Sequence, residues 1–226
     1  MRHRGQQSPT AQREWMVARQ IAGRGVRDPA VLAAMRKVPR ERFVPESLAS
    51  LAYDDRPLPI GEGQTISQPY IVAMMTQALR LCSNDRVLEI GTGSGYAAAV
   101  LAVIAAEVYT VERLEGLATS ASKRLAELGY SNIHVRQGDG SLGWPEHAPY
   151  DAIVATASGP DVPTALLEQL AIGGRLVMPV GTQFGSQRLV RVERTSADSY
   201  KRVTLEDVLF VPLIGAQGWP ETGHAA

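Results

Sequence analysis

A glycine-rich loop between two apolar segments is the feature that most constrains the fold of this chain. The run 86–90 is apolar except for Arg86 and Glu89, and it leads directly into 91–95, where three of five residues are glycine. The Ala-rich segment 96–106 follows and predicts a helix. A strand, a glycine loop and a helix in this order open a nucleotide-binding α/β unit, in which glycines let the backbone approach a ligand closely. The chain is therefore expected to bind an adenosine-containing cofactor.

The spacing of the acidic residues and glycines indicates which cofactor this is. The next predicted strand ends on Glu112, about 20 residues after the loop begins, where such folds place an acid for the ribose hydroxyls. Tyr96 stands where the dinucleotide fingerprint GxGxxG has its third glycine, and the phosphate loop GxxxxGK[ST] is absent from the sequence. An acid two residues before a GxGxG loop, here Glu89, is instead typical of S-adenosylmethionine-dependent methyltransferases. A nicotinamide or flavin enzyme and a chance glycine turn stay open as alternatives.

From residue 85 onward, apolar runs and amphipathic segments alternate regularly. The predicted strands are 86–90, 108–112, 133–136, 150–155 and 175–180, and the predicted helices are 95–105, 114–128 and 163–170. This alternation predicts an α/β fold with a mostly parallel, doubly wound sheet that is covered on both faces. Two further strands, 187–194 and 202–211, predict an antiparallel C-terminal hairpin. Before residue 85, helices are expected at 13–22, after Asp28 and from Pro69, with a proline-rich irregular stretch between the last two.

Ligands of open α/β sheets bind at the carboxyl ends of the strands, so the loops at that edge carry the candidate site. Asp139 lies between two glycines after the strand 133–136, where it is placed to accept a hydrogen bond from an adenine amino group. The same Gly-Asp-Gly sequence also forms a plain Asx turn. Glu89 lies inside its strand and can orient the loop instead of touching the ligand. The predicted cofactor-binding residues are Glu89, Gly91, Thr92, Gly93, Ser94, Gly95, Glu112, Arg113, Asp139 and Gly140.

Charge is unevenly distributed, although the formal net charge of the 226 residues is zero. Residues 1–42 contain ten Lys/Arg and three Asp/Glu, so this basic arm either contacts an acidic partner or forms solvated helix faces. The single cysteine, Cys82, excludes an internal disulfide framework. No Cys/His spacing suits zinc, no apolar run is long enough to cross a membrane, and the N-terminus has no signal core. We therefore expect a cytoplasmic protein without a metal.

The polar, glycine-punctuated segment 57–70 has no explanation as a core element. It closely resembles the substrate loop of the protein-L-isoaspartate O-methyltransferases, which repair damaged aspartyl and asparaginyl sites, and Thr-Ile-Ser-Gln-Pro-Tyr at 65–70 is its specific part. The similarity extends through most of the chain and leaves out only the two tails and the loop around 181–202. The further matching segments are 16–17, 20–21, 38–41, 43–45, 87–96, 111–113, 138–140, 143–145, 173–176 and 210–213.

The resemblance implies a Rossmann-like S-adenosylmethionine-dependent methyltransferase fold with an N-terminal helical extension. It implies transfer of a methyl group from S-adenosylmethionine to the free α-carboxylate of L-isoaspartyl residues in damaged proteins and peptides. The ester then cyclises to a succinimide, which reopens partly to normal aspartate, and family members also accept some D-aspartyl sites. By matching position, Ser67 is the catalytic residue, whose hydroxyl would hold the acceptor carboxylate. The substrate-binding residues implied in the same way are Thr65, Ile66, Gln68 and Val211.

On this interpretation the chain is one domain with two tails. Residues 1–12 form a disordered tail, 13–215 the methyltransferase domain, and 216–226 a C-terminal tail without an assigned role. Within the domain, 13–84 supplies the helical and substrate-loop part and 85–215 the cofactor-binding core. We expect a monomer that binds damaged proteins or peptides and neither nucleic acid nor a membrane.

Three other functions compete with this interpretation. A nucleic-acid methyltransferase would use residues 1–42 as a docking arm, but it leaves the loop 61–70 unexplained. A binding module would hold the cofactor without turnover, and intact Ser67, Glu112 and Asp139 argue against such a degenerate site. A small-molecule methyltransferase is less favoured, because the sequence shows no apolar lid or separate substrate domain.

Overall fold

The computed structural model describes residues 8–183 and 185–221, and these residues form six α-helices and nine β-strands. The helices are α1 (Pro9–Trp15), α2 (Pro29–Lys37), α3 (Pro69–Leu79), α4 (Tyr96–Ala102), α5 (Glu115–Glu127) and α6 (Thr164–Glu168). The strands are β1 (Leu58–Gly61), β2 (Gln64–Ile66), β3 (Arg86–Ile90), β4 (Glu107–Glu112), β5 (Ile133–Gln137), β6 (Tyr150–Ala155), β7 (Leu170–Gly181), β8 (Gln187–Ser196) and β9 (Ser199–Val208).

Strands β3 to β9 form one seven-stranded sheet in the order β5-β4-β3-β6-β7-β8-β9. The strands β3 to β7 pair in parallel, and β8 and β9 add an antiparallel end. The predicted fold class, a mostly parallel sheet with an antiparallel C-terminal hairpin, is therefore confirmed. The chain runs outward from β3 to β5 and then returns to the other side of β3 with β6. The strand order thus reverses between β3 and β6, where open α/β sheets form their ligand crevice.

The central strand β3 is buried on both faces of the sheet. Val87 packs in a core with Leu101 of α4, whereas Leu88 and Ile90 belong to the core on the opposite face. This division follows from the two-residue period of a strand. Because both faces are covered, β3 forms from a nearly continuous apolar run. Glu89 interrupts that run with a side chain that is 0% exposed.

The N-terminal part begins earlier than the sequence analysis predicts. Helix α1 starts at Pro9, so residues 9–12 are helical where a disordered tail is expected. The cause is local, because the Ala11 N–H donates to the Ser8 Oγ at 3.3 Å and Pro9 occupies the first turn. The helix continues as a π-helical segment, Met16–Ile21, whose apolar side chains join the core. Residues 1–7 of the expected tail lie outside the described residues.

Other differences concern the lengths of elements and the segment before α3. Helix α4 ends at Ala102, whereas the predicted helix continues to residue 105, and β7 begins at Leu170 rather than at 175. The stretch expected to be irregular contains the antiparallel hairpin β1–β2, in which Pro59 is tolerated because β1 belongs to a two-stranded sheet. Residues 216–221 of the expected C-terminal tail pack on the fold, and 222–226 lie outside the described residues.

Candidate functional site

A cavity of about 590 Å³ opens at the carboxyl ends of β3 and β4. This volume suits a ligand of drug or nucleoside size. The lining residues come from the glycine loop, from the end of the hairpin β1–β2 and from the segment after β9, among other segments. The predicted residues that line the cavity are Thr65, Ile66, Ser67, Gly91, Thr92, Gly93, Ser94, Glu112, Arg113, Gly140 and Val211. The cavity therefore brings together the two motifs that the sequence places in separate parts of the chain.

The path of the glycine loop depends on close contacts between its backbone and neighbouring residues. Gly91 has a φ of +92°, a conformation that disfavours residues with a side chain. A Cβ atom at this position would lie 2.5 Å from the Thr156 Oγ1, which hydrogen-bonds to the carbonyl of Gly91 at 2.8 Å. Gly95 does not line the cavity, and its neighbour is instead Leu125 of α5. Gly91 thus allows the loop to lie against Thr156, and Gly95 allows α5 to pack against the loop.

Glu112 connects the end of β4 to the glycine loop. Its side chain is nearly buried, with the residue 7% exposed, and it lies in the cavity wall. The Oε2 accepts a hydrogen bond from the Gly93 N–H at 2.8 Å, and the Oε1 accepts one from the Leu114 N–H at 3.0 Å. Each carboxylate oxygen keeps further acceptor capacity for a hydroxyl donor. The arrangement therefore fits recognition of a ribose by Glu112.

Glu89 does not line the cavity, but it is connected to a residue that does. The Thr110 Oγ1 donates to the Glu89 Oε2 at 2.6 Å, and the same Thr110 oxygen lies 2.7 Å from the Oγ1 of Thr92 in the cavity wall. Burial raises the pKa of Glu89 to about 8; the negative charge of Glu112 acts in the same direction, and the Thr110 hydrogen bond opposes it. Glu89 thus acts on the loop through Thr110 and Thr92 rather than by direct contact with a ligand.

The structure does not bring the carboxylate of Asp139 into the cavity wall. Its Oδ1 accepts hydrogen bonds from the Ser141 N–H at 2.8 Å and from the Ser141 Oγ at 2.7 Å, which is the Asx turn considered above. Its Oδ2 accepts from the Ala216 N–H at 2.7 Å. Asp139 therefore anchors the C-terminal segment, and the contact of its carboxylate with an adenine amino group stays a prediction. Gly140, next to it, does line the cavity.

The hairpin β1–β2 presents the specific hexapeptide to the cavity. Thr65, Ile66 and Ser67 line the cavity, whereas Gln68 does not. The Gln68 Nε2 donates to the Asp55 Oδ2 at 2.8 Å. The Gln68 amide therefore holds the neighbouring loop that contains Asp55, and the substrate-binding role of Gln68 stays a prediction.

Backbone contacts fix the wall that contains Val211. The side chain of Gln187, which is buried, both accepts from the Phe210 N–H at 2.6 Å and donates to the Phe210 carbonyl at 3.0 Å. The carbonyl of Val211 accepts from the Ser158 N–H at 2.8 Å. The segment after β9 is thus held against the end of β6, so Val211 faces the cavity from a fixed backbone.

The family of the chain follows from a match along most of its length. Residues 11–218 match the family model described as Protein-L-isoaspartate(D-aspartate) O-methyltransferase. The chain belongs to this family. The family predicted from the segment 57–70 is therefore confirmed.

Relatives in the family are similar to this chain over nearly its whole length. The chain is 66% identical over 209 residues to protein-L-isoaspartate O-methyltransferase 1 of Rhodopseudomonas palustris strain HaA2, with 92% of this chain and 85% of the relative covered. It is 64% identical over 207 residues to protein-L-isoaspartate O-methyltransferase 2 of Pelobacter propionicus, with 92% of each covered. The similarity thus includes both the loop 57–70 and the glycine loop.

Two solved structures have the same fold. A protein-L-isoaspartate O-methyltransferase superposes with a TM-score of 0.79 at 28% identity, with 92% of this chain and 67% of that chain covered. The structure of a Plasmodium falciparum protein, described as a complex with S-adenosyl-L-homocysteine, superposes with a TM-score of 0.78 at 24% identity, covering 89% and 98%.

Several residues at the site of this family member are missed by sequence reasoning. Thr156 follows β6 at the carboxyl edge, so its position could have been found from the predicted strands. Thr110 is 0% exposed and lies between buried residues inside β4, so it gives no such signal. Glu221 lines the cavity and pairs with Arg113 at 3.0 Å, a contact that no local pattern predicts.

Two further observations concern the described residues, 8–183 and 185–221. They contain no helix that is both long enough and apolar enough to cross a membrane. In the same ranges, no group of three or more His, Cys, Asp and Glu side chains is arranged to hold a metal ion.

Proposed function

We propose that this protein transfers a methyl group from S-adenosylmethionine to the free α-carboxylate of L-isoaspartyl residues in damaged proteins and peptides. One observation carries the proposal. The family's substrate-loop residues Thr65, Ile66 and Ser67 and the glycine-loop residues 91–94 line one cavity of about 590 Å³. The identity of 66% to a relative with this activity in its name, over 92% of the chain, supports the same conclusion.

The residues of the cavity fit S-adenosylmethionine. Glycine at position 91 lets the loop lie against Thr156, where a Cβ would meet the Thr156 Oγ1 at 2.5 Å, and residues 91–94 of this loop line the cavity. Glu112 would hold the ribose hydroxyls, and the backbone of 91–94, Arg113 and Gly140 would hold the rest of the cofactor. When bound, the cofactor supplies a methyl group that is activated by its sulfonium centre. The protein's own task is then to orient the acceptor and to exclude competing water.

The acceptor needs orientation more than activation. A carboxylate is already ionised at neutral pH, so no general base has to remove a proton from it. The Ser67 hydroxyl would donate a hydrogen bond to the acceptor carboxylate, and Val211 would contact the substrate backbone from the opposite wall. Alignment of this kind can supply several kcal/mol of a reaction barrier. Ser67 is therefore the residue whose loss should affect turnover more than cofactor affinity.

The proposal also includes three finer statements about the protein's context. It acts as a monomer in the cytoplasm, it accepts some D-aspartyl sites, and it does not use its basic arm to bind nucleic acid. Internal contacts of that arm support the last statement. Arg24 pairs with Asp55 at 2.8 Å, Arg36 pairs with Glu14 at 3.1 Å, and Arg40 is fully buried and donates to the Ala52 carbonyl at 2.7 Å.

The test uses two synthetic peptides that differ only in one residue, L-isoaspartyl or L-aspartyl, with methyl-labelled S-adenosylmethionine. We expect base-labile label in the isoaspartyl peptide alone. The variant Ser67→Ala should lose about tenfold or more in turnover and keep its cofactor affinity, since one hydrogen bond to a charged acceptor is worth roughly 1.5–3 kcal/mol. Absence of label in both peptides, with label transferred to RNA, would contradict the proposal and favour a nucleic-acid methyltransferase.

A further inference from the structure

Asp55 contacts two of the three residues that follow Ser67, namely Gln68 and Tyr70. Its Oδ2 accepts from the Gln68 Nε2 at 2.8 Å, and its Oδ1 accepts from the Tyr70 N–H at 3.1 Å. The helix α3 begins at Pro69, and Gln68 before it provides no side-chain cap. Asp55 therefore supplies, from another part of the chain, an acceptor that the first turn of α3 lacks locally.

Further contacts connect the Asp55 carboxylate to the N-terminal segment and connect Tyr70 to the sheet. The Arg24 Nη1 donates to the Asp55 Oδ2 at 2.8 Å, and the Arg24 guanidinium lies 3.5 Å from the centre of the Tyr70 ring. The Tyr70 hydroxyl donates to Glu206 of β9 at 3.1 Å. The residues after Ser67 are thus held from two sides. Asp55 accepts hydrogen bonds both from the Tyr70 backbone N–H and from the Gln68 side chain.

We propose that Asp55 is a positioning residue for methyl transfer, because its hydrogen bonds to Gln68 and Tyr70 fix the backbone that carries Ser67. This inference rests on the proposed function. Ser67 lines the cavity and Asp55 does not, so Asp55 acts through Ser67 rather than on the substrate. A misplacement of a catalytic group by about 1 Å can cost roughly 100-fold in rate. A displacement of Ser67 that follows the loss of the Asp55 carboxylate should therefore lower the rate of methyl transfer.

The kinetic test compares Asp55→Ala with the wild type on the isoaspartyl peptide. We expect kcat/KM to fall about tenfold or more. Affinity for S-adenosylhomocysteine by calorimetry should stay unchanged, because Glu112 takes its hydrogen bonds from Gly93 and Leu114 and not from the Asp55 cluster. Loss of cofactor affinity equal to the loss of kcat/KM would overturn the proposal, since it would indicate general damage.

A double-mutant cycle separates positioning of Ser67 from ordinary destabilisation. In a Ser67→Ala background, Asp55→Ala should lower kcat/KM by less than about threefold, because the group it positions is already gone. A full second loss that multiplies the first would refute an action through Ser67. The matched control is Glu14→Ala, which removes the partner of Arg36, an ion pair of 3.1 Å between exposed side chains of the N-terminal helices. It should leave kcat/KM unchanged.

Hydrogen exchange provides a readout that does not depend on the substrate. In Asp55→Ala, amides of 64–72 should exchange about tenfold faster, while those of 91–95 keep their protection. If Asp55→Ala does not fold, Arg24→Ala removes only one donor to the same carboxylate and should speed exchange of the same segment. A wild type inactive on isoaspartyl peptide would refute the proposed function alone, and unchanged exchange in 64–72 would refute the positioning role.

Discussion

Replacement of Glu89 by glutamine should change how the stability of the protein depends on pH. Glu89 is fully buried in β3, and burial raises its pKa from the ordinary 4.5 to about 8. The carboxyl group is therefore protonated in the folded state at neutral pH and ionised in the unfolded chain. Folding takes up a proton in this range, whereas a glutamine at this position stays neutral in both states.

The sign and size of the effect follow from the two pKa values. Below pH 4.5 both states hold the proton, so this stabilising contribution is fully present. Between pH 4.5 and 8 the wild type loses about 1.4 kcal/mol of unfolding free energy per pH unit, relative to Glu89→Gln. Above pH 8 both states are ionised and the loss is complete. The full difference is roughly 4–5 kcal/mol, of which roughly 2–3 kcal/mol falls between pH 6 and 8.

Urea unfolding of both proteins at pH 6, 7, 8 and 9 measures this difference, because effects of all other groups cancel when the two curves are subtracted. Glu89→Leu serves as the control. Leucine is neutral at every pH, so the difference in unfolding free energy between Glu89→Leu and the wild type should change with pH at the same slope. The size of this difference is shifted by a constant amount, because leucine offers no acceptor to the Thr110 hydroxyl. A gap that stays constant from pH 6 to 8 in both variants would show that the carboxyl group is already ionised in the fold, and the reasoning would fail.

Three further changes give measurable outcomes. Glu112→Gln should weaken S-adenosylhomocysteine binding roughly 10–100-fold in calorimetry, because an amide donor would face the N–H of Gly93 or Leu114; equal affinity would remove Glu112 from the cofactor site. Gly91→Ala should lower the unfolding free energy by about 1–3 kcal/mol, through its positive φ and the 2.5 Å approach to Thr156, and an unchanged melting temperature would contradict this. Asp28→Ala should cost about 1 kcal/mol in urea unfolding, since Asp28 caps two N–H groups of α2, and a wild-type midpoint would disprove the cap.

The sheet could be predicted from the sequence because its strands are buried on both faces. A strand such as β3 is a continuous apolar run, and the loop that follows it needs glycine for steric reasons, so both features are visible locally. The start of α1 was also encoded locally, by Ser8 and Pro9, but the polar composition of the segment favoured disorder instead. Local signals therefore predict the elements well and their ends less well.

The orientation of individual side chains at the site could not be predicted in the same way. The sequence places Asp139 correctly at the carboxyl edge and offers an Asx turn for it, but the N–H of Ala216, far along the chain, also donates to its Oδ2. Gln68 likewise lies in the right loop, and Asp55 draws its amide away from the cavity. The partners Ala216 and Asp55 are distant in sequence from Asp139 and Gln68, so no motif or periodicity contains these two contacts, whereas the Asx turn of Asp139 with Ser141 is local.

The walls of the cavity come from distant parts of the chain, and this has a consequence for biosynthesis. The hairpin β1–β2 and the glycine loop leave the ribosome early, whereas Val211, Ile214 and Glu221 follow more than 100 residues after the glycine loop. A nascent chain therefore lacks the full set of cavity walls until residue 221 has been synthesised. Any stabilising effect of S-adenosylmethionine that depends on all of these walls applies only to chains that extend at least this far.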